Sequence, residues 1–167
     1  MEYLTSLSDA LASSSLTEWL TTHEWAVPLL QSIHIMSVAI VLSSIALLDL
    51  RLAGLLGRGQ SLRDLTLRFY PWIWGALLVL IGTGILQVMA EPARELLNFL
   101  FWSKMGLIIT AVLFTMPVRR LLEDRPFQDL PSSKRHTLRL CAFVSLTLWA
   151  LVIVCGRWIA YAGDMTA

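Results

Sequence analysis

A chain of 167 residues that is 56% hydrophobic and 15% charged, with a mean hydropathy of +0.67, is not a water-soluble globular domain. Such a domain carries about a quarter charged residues. The net charge of +1 is silent about partners, but the placement of the charges is informative, and the length suits a single domain.

Residues 1–25 are too polar to span a bilayer, and no Lys or Arg precedes Arg51, so no basic region marks a cleavable signal peptide. Within this segment "SSLTEWL" offers a capping box, with Ser15 as N-cap and Glu18 at N3. It predicts a short interfacial helix, with Trp19 and Trp25 as anchors at the membrane surface.

Four apolar runs follow, at 26–48, 70–90, 99–118 and 138–160. Each is near the ~20 residues a helix needs to cross a bilayer. None shows the alternation of a barrel strand. Pro28 and Pro71 are expected in the first turns of spans one and two, and Pro117 at the end of span three. Tyr70, Trp72 and Trp74, with Trp158 and Tyr161, read as interfacial aromatics. Connections are short, so the expected fold class is an all-α integral membrane protein, a four-helix up-down bundle over 26–162, with a tail at 163–167. Basic residues crowd loops 49–69 and 119–139, while loop 91–98 holds only Arg94 between Glu91 and Glu95. The positive-inside rule places those two loops in the cytoplasm and both termini in the periplasm, in a bacterial inner membrane. The same basic clusters read as topogenic signals rather than nucleic-acid patches, so no nucleic-acid partner is expected. Cys141 and Cys155 share one span about 21 Å apart and cannot pair.

Depth is informative within the spans. At about 1.5 Å per residue, His34 lies about 12 Å and Gln31 about 8 Å below the outer end of span one. Gln87, Gly82 and Gly84 on span two, Lys104 and Met105 on span three, and Arg157 on span four fall in the same outer layer. Ionisable residues inside a membrane usually face a bundle interior. His34 also heads a stripe with Gln31, Ser37, Ser44 and Asp49, which predicts the inward face of span one. One imidazole, flanking glycines and cations toward the surface are what a b-type haem uses: an axial ligand, room for the macrocycle, and charges for the propionates. His34 is then the axial ligand to the haem iron. No other span carries a histidine, since His23 is near the surface and His136 at the inner face. A sixth ligand would be Lys104, Met105, Met89 or water; Lys104 otherwise pairs with a propionate. A structural zinc site lacks ligands.

Span one, "SIHIMSVAIVLSSIALLDLRLAGL", resembles the first helix of the HemJ-type protoporphyrinogen oxidases and of CopD-like copper-resistance membrane proteins, through His34 and the pair Arg51-Leu52. "FWSKMG" resembles that group's Trp-x-x-Lys helix through Trp102 and Lys104, and "YPWIWGALLVLIGTGIL" its Pro-then-Gly helix. The resemblance covers about residues 26–118 and implies a four-helix haem b protein in which His34 and Lys104 carry function. It departs at "DLRLAGL", where the family's inner histidine is missing. That motif is similar to one in a group of four-helix bacterial membrane proteins with no assigned activity.

The expected function is a haem b membrane protein with a redox or electron-transfer role, possessing a quinone or periplasmic redox partner. A non-catalytic subunit of a larger membrane complex, a homo-oligomer, and a CopD-like metal-handling transporter are the alternatives.

Overall fold

The structure is a computed structural model, and it describes residues 2–56, 62–124 and 130–162. Seven helices follow one another in the described chain: α1 Glu2–Ala12, α2 Ser15–Thr22, α3 Ala26–Ala53, α4 Leu62–Ala90, α5 Pro92–Leu96, α6 Phe99–Asp124 and α7 Ser132–Ala162. No strand occurs among the described residues. Helices α3, α4 and α7 are long and apolar enough to cross a membrane, and α6 adds a shorter apolar stretch over Phe99–Thr115.

These four helices form an antiparallel bundle. Helix α3 packs along α4 on one side and α7 on the other, and α7 packs along α6; of the neighbouring pairs, α4 and α6 meet least. The central core joins Val41, Ile45 and Leu48 of α3 to Ile73 and Ala76 of α4, Ala111 of α6 and Trp149 of α7. The predicted inward stripe of α3 is observed at Ser37, Ser44 and Asp49, all buried, and at half-buried His34, but not at Gln31, which is exposed.

At one end, which we call the capped end, α1, α2 and α5 cover the bundle. Leu20 packs on Ala26 and Ala90 there. Thr17 clamps the cap, its Oγ1 lying 2.8 Å from both the Leu11 and the Met89 carbonyl oxygens. Met89 is in the last turn of α4, where carbonyls have no partner within the helix. This clamp shifts the capping frame from the expected one. The N-cap of α2 is Ser14, whose Oγ accepts from the Thr17 backbone N–H at 3.2 Å, and not Ser15. A cap at Ser14 puts Thr17, rather than Glu18, at N3. Helix α1 was not expected at all.

At the opposite, basic end the helices run past the apolar spans. Pro71 lies inside α4 rather than in its first turn, and α6 continues through Pro117. Helix α7 begins at Ser132, not near 138. A second small core explains part of this extension: Leu52, Leu130, Leu138 and Ala142 pack together, with Ala53 and Leu62 against them. Apolar burial thus continues beyond the membrane-length runs. Residues 123–124 and 132–136, inside the expected connection between spans three and four, are therefore helical, while 125–129 and the tail at 163–167 lie outside the described residues, as does the Tyr161 side chain. The other expected interfacial aromatics, Trp19, Trp25, Tyr70, Trp72, Trp74 and Trp158, are all exposed.

The "DLRLAGL" segment is the end of α3 and acquires a physical reading. Asp49 and Leu52 point inward. Arg51 Nη1 donates to the Leu56 carbonyl at 3.0 Å. Gly54 caps the helix at φ 84°, and the following amide, Leu55 N–H, donates to the Leu50 carbonyl at 3.0 Å. Glycine adopts this left-handed conformation without the Cβ penalty of other residues.

Candidate functional site

His34 lies on α3 in the half of the bundle nearest the cap, half-buried against α4. Its Nδ1 is 2.8 Å from Thr83 Oγ1. Thr83 is itself 2.7 Å from the Val79 carbonyl, to which its hydroxyl donates. A hydroxyl has one proton. With that proton on Val79, the Thr83 oxygen accepts, so Nδ1 of His34 carries the ring proton and donates. The other nitrogen, Nε2, then holds its lone pair, and it has no hydrogen-bond partner among the described residues.

Thr83 stands between two glycines in "IGTGIL", and they differ. A Cβ on Gly84 would lie 3.7 Å from His34 Cε1, so Gly84 flanks the imidazole. A Cβ on Gly82 would meet nothing within 4 Å, and Gly82 is exposed on the outer surface of α4. Gln87, one turn beyond Thr83, is half-buried, and its amide nitrogen is buried without an acceptor.

Lys104 enters from α6. Its side chain lies across α7, where a Cβ on Gly156 would sit 3.5 Å from Lys104 Cε and 3.6 Å from Nζ. Its charge is felt at Glu95. Glu95 is on α5, at the capped end, and its side chain is 13% exposed. Burial pushes its carboxyl above the usual range, Lys104 and Arg94 pull it back, and Glu91 pushes it up again. Arg94 forms ion pairs with Glu91 and, at 3.8 Å, with Glu95. The short helix that carries Glu95 is fastened to α6 by Trp102, whose Nε1–H donates to the Leu96 carbonyl at 2.9 Å.

The structure therefore brings together His34, Gly84 and Lys104, with Gln87 a turn beyond Thr83, and adds Thr83, Gly156, Glu95 and Trp102. It leaves other expected members outside. Gln31 is exposed although it shares the stripe of His34. Arg157 is exposed and already engaged. Met105 is half-buried beside Lys104, and Met89 packs against the apolar cluster under the cap. Cys141 and Cys155 are both free thiols on α7. No group of three His, Cys, Asp or Glu side chains comes together among the described residues, so a bare metal ion has no cluster of these ligands there. Sequence signals for the missed members existed. A hydroxyl between two glycines on a membrane helix is one, and an acid in the short connection that precedes the Lys104 helix is another.

The profile of a family of unknown function, DUF6644, matches residues 22–162. The chain belongs to that family. No curated protein and no solved structure matches the chain. The region shared with DUF6644 takes in every residue of the His34 site, from α3 to α7, and begins at the last residue of α2.

Proposed function

We propose that the protein is a haem b membrane protein with a redox or electron-transfer role, set in the bacterial inner membrane with its capped end toward the periplasm. The tautomer of His34 carries this reading. An imidazole that ligates iron usually donates its second ring N–H to a fixed acceptor, which orients the ring and raises its basicity. Thr83 is such an acceptor, and Nε2 is left with its lone pair. The residues fit one axial position. A haem b held there would supply one-electron chemistry.

The chain's own residues perform the remaining tasks. Thr83 fixes the ring plane. Gly84 keeps side-chain bulk away from the ring flank. Lys104 brings a positive charge into the layer, and Gln87 offers a buried N–H donor; both suit carboxylate groups. Glu95, beside Lys104, tempers that charge and connects the site to the capped surface. The basic residues of loops 49–69 and 119–139 support the orientation, since such loops remain on the cytoplasmic side.

Purification of the full chain in detergent tests the proposal. The expected result is a Soret band that His34→Ala abolishes while the variant still inserts. A colourless wild-type protein after expression with haem precursor, or an unchanged spectrum in His34→Ala, overturns it. Reporter fusions at Gln60 and Pro131 are expected to behave as cytoplasmic, and a periplasmic signal from either reverses the orientation.

A further inference from the structure

About 22 Å along α3 from His34, in the half of the bundle nearest the basic end, is a second polar locus. A cavity of about 10 Å³ is lined by Asp49, Thr115, Cys141 and Ser145, with Leu52 and Phe114 beside them. That is room for one water-sized occupant.

Ser145 is the informative wall. Five other buried hydroxyls on the bundle helices return to their own backbone: Ser37 to Ile33, Ser44 to Ile40, Thr66 to Leu62, Thr83 to Val79 and Thr115 to Ala111. Each donates to the carbonyl four residues earlier, the usual way to satisfy a hydroxyl in lipid. Ser145 is 2% exposed and does not do so; its Oγ lines the cavity and has no hydrogen-bond partner. A buried hydroxyl in that state costs roughly 1–3 kcal/mol. Its orientation therefore calls for an occupant.

The chemistry of the walls selects that occupant. Three of the four polar walls are oxygens: the Asp49 carboxylate, Ser145 Oγ, and Thr115 Oγ1, whose proton goes to Ala111 and leaves its lone pairs available; the fourth, the Cys141 thiol, is only a weak acceptor. Hard oxygen donors choose alkali and alkaline-earth ions over transition metals. Calcium takes about 6–8 oxygen ligands, and magnesium retains several waters, so neither suits one carboxylate and a single small space. Asp49 already has a partner in the fold. A carboxylate has about four lone-pair sites, so one partner does not exhaust it.

We propose that this cavity binds a single sodium ion through Asp49, Thr115 and Ser145. The site is separate from His34 and stands whether or not haem binds there.

The test is thermal unfolding of the purified full chain in detergent, titrated with sodium chloride against choline chloride at constant ionic strength. Ligand that binds the folded state alone raises its unfolding temperature by mass action. Sodium is expected to raise the midpoint saturably and choline is not. Ser145→Ala is expected to weaken the sodium response about tenfold or more, with Asp49→Asn weakening it further. In sodium-free buffer Ser145→Ala should unfold at or above the wild-type temperature, because the uncompensated hydroxyl is gone, so loss of the sodium response in that variant is not misfolding. Equal midpoints in sodium and choline overturn the proposal and indicate water as the occupant. An undiminished sodium gain in Ser145→Ala overturns the assignment to this cavity.

Discussion

The two polar layers of the bundle handle their hydrogen bonds differently. Near the basic end, Thr66 and Thr115 fold back onto their own helices, and Ser145 is the exception. Near the capped end Ser37 and Thr83 fold back as well, but His34 also reaches across to Thr83, and Lys104 crosses onto Gly156 of α7. A back-bonded hydroxyl is satisfied wherever its helix goes. A side chain that needs a neighbouring helix holds only if the bundle is assembled correctly, and such groups are retained where an exposed nitrogen or charge has work to do. On the proposed function, the cofactor chemistry belongs to the capped half.

Five substitutions would break or sharpen that contrast. The largest effect is expected from His34→Ala, with complete loss of the Soret band, whereas Ser145→Ala should leave that band unchanged. Loss of the spectrum in both would merge the two layers into one site. Next is Gly54→Val, at the end of the basic half. A β-branched residue at φ 84° is strained, and about 1–3 kcal/mol of stability should be lost in chemical denaturation, with no change in spectrum. Thr83→Val is expected to be milder. It removes the acceptor of His34 Nδ1–H and should lower stability by about 0.5–1.5 kcal/mol. It should also shift the redox midpoint or the ligand spectrum while haem is retained. An unaltered midpoint would mean that Thr83 does not orient the ring.

The smallest effect concerns Glu95. Burial raises its carboxyl pKa in the folded chain, and the ordinary value is 4.5. The folded state therefore holds the proton more tightly than the unfolded state. The contribution to stability is complete below the ordinary carboxylate value and is lost as pH rises through the raised one. Glu95→Gln should flatten the stability profile across that window. A stronger pH dependence in the variant would show that Lys104, not burial, dominates at Glu95.

Much of this was legible in the sequence. Charge placement and apolar run length indicated the spans, and the 3.6-residue period indicated the buried face of α3 through Ser37, Ser44 and Asp49. Depth alone brought His34 and Lys104 into one layer. Depth could not separate Gly84 from Gly82, because two residues on a helix point about 200° apart and only a neighbour decides which one faces in. It likewise counted Gln31, which shares a stripe with His34 but lies exposed. The helical extensions at the basic end were hidden for another reason. Charged residues were read as marking the membrane boundary, yet Leu52, Leu62, Leu130 and Leu138 continue a core past it. Tertiary contacts, rather than local pattern, also moved the cap of α2 from Ser15 to Ser14 through Thr17.

That Thr17 clamp has a consequence for how the chain is made. Its two acceptors, Leu11 and Met89, are 78 positions apart in the chain, and Met89 belongs to the second long helix to emerge. Until α4 has been synthesised and threaded, the N-terminal helices have no carbonyl to grip and no Ala90 to rest on. Helices α1 and α2 precede α4 in the chain yet dock only once α4 is in place, so the cap forms after the second long helix is complete.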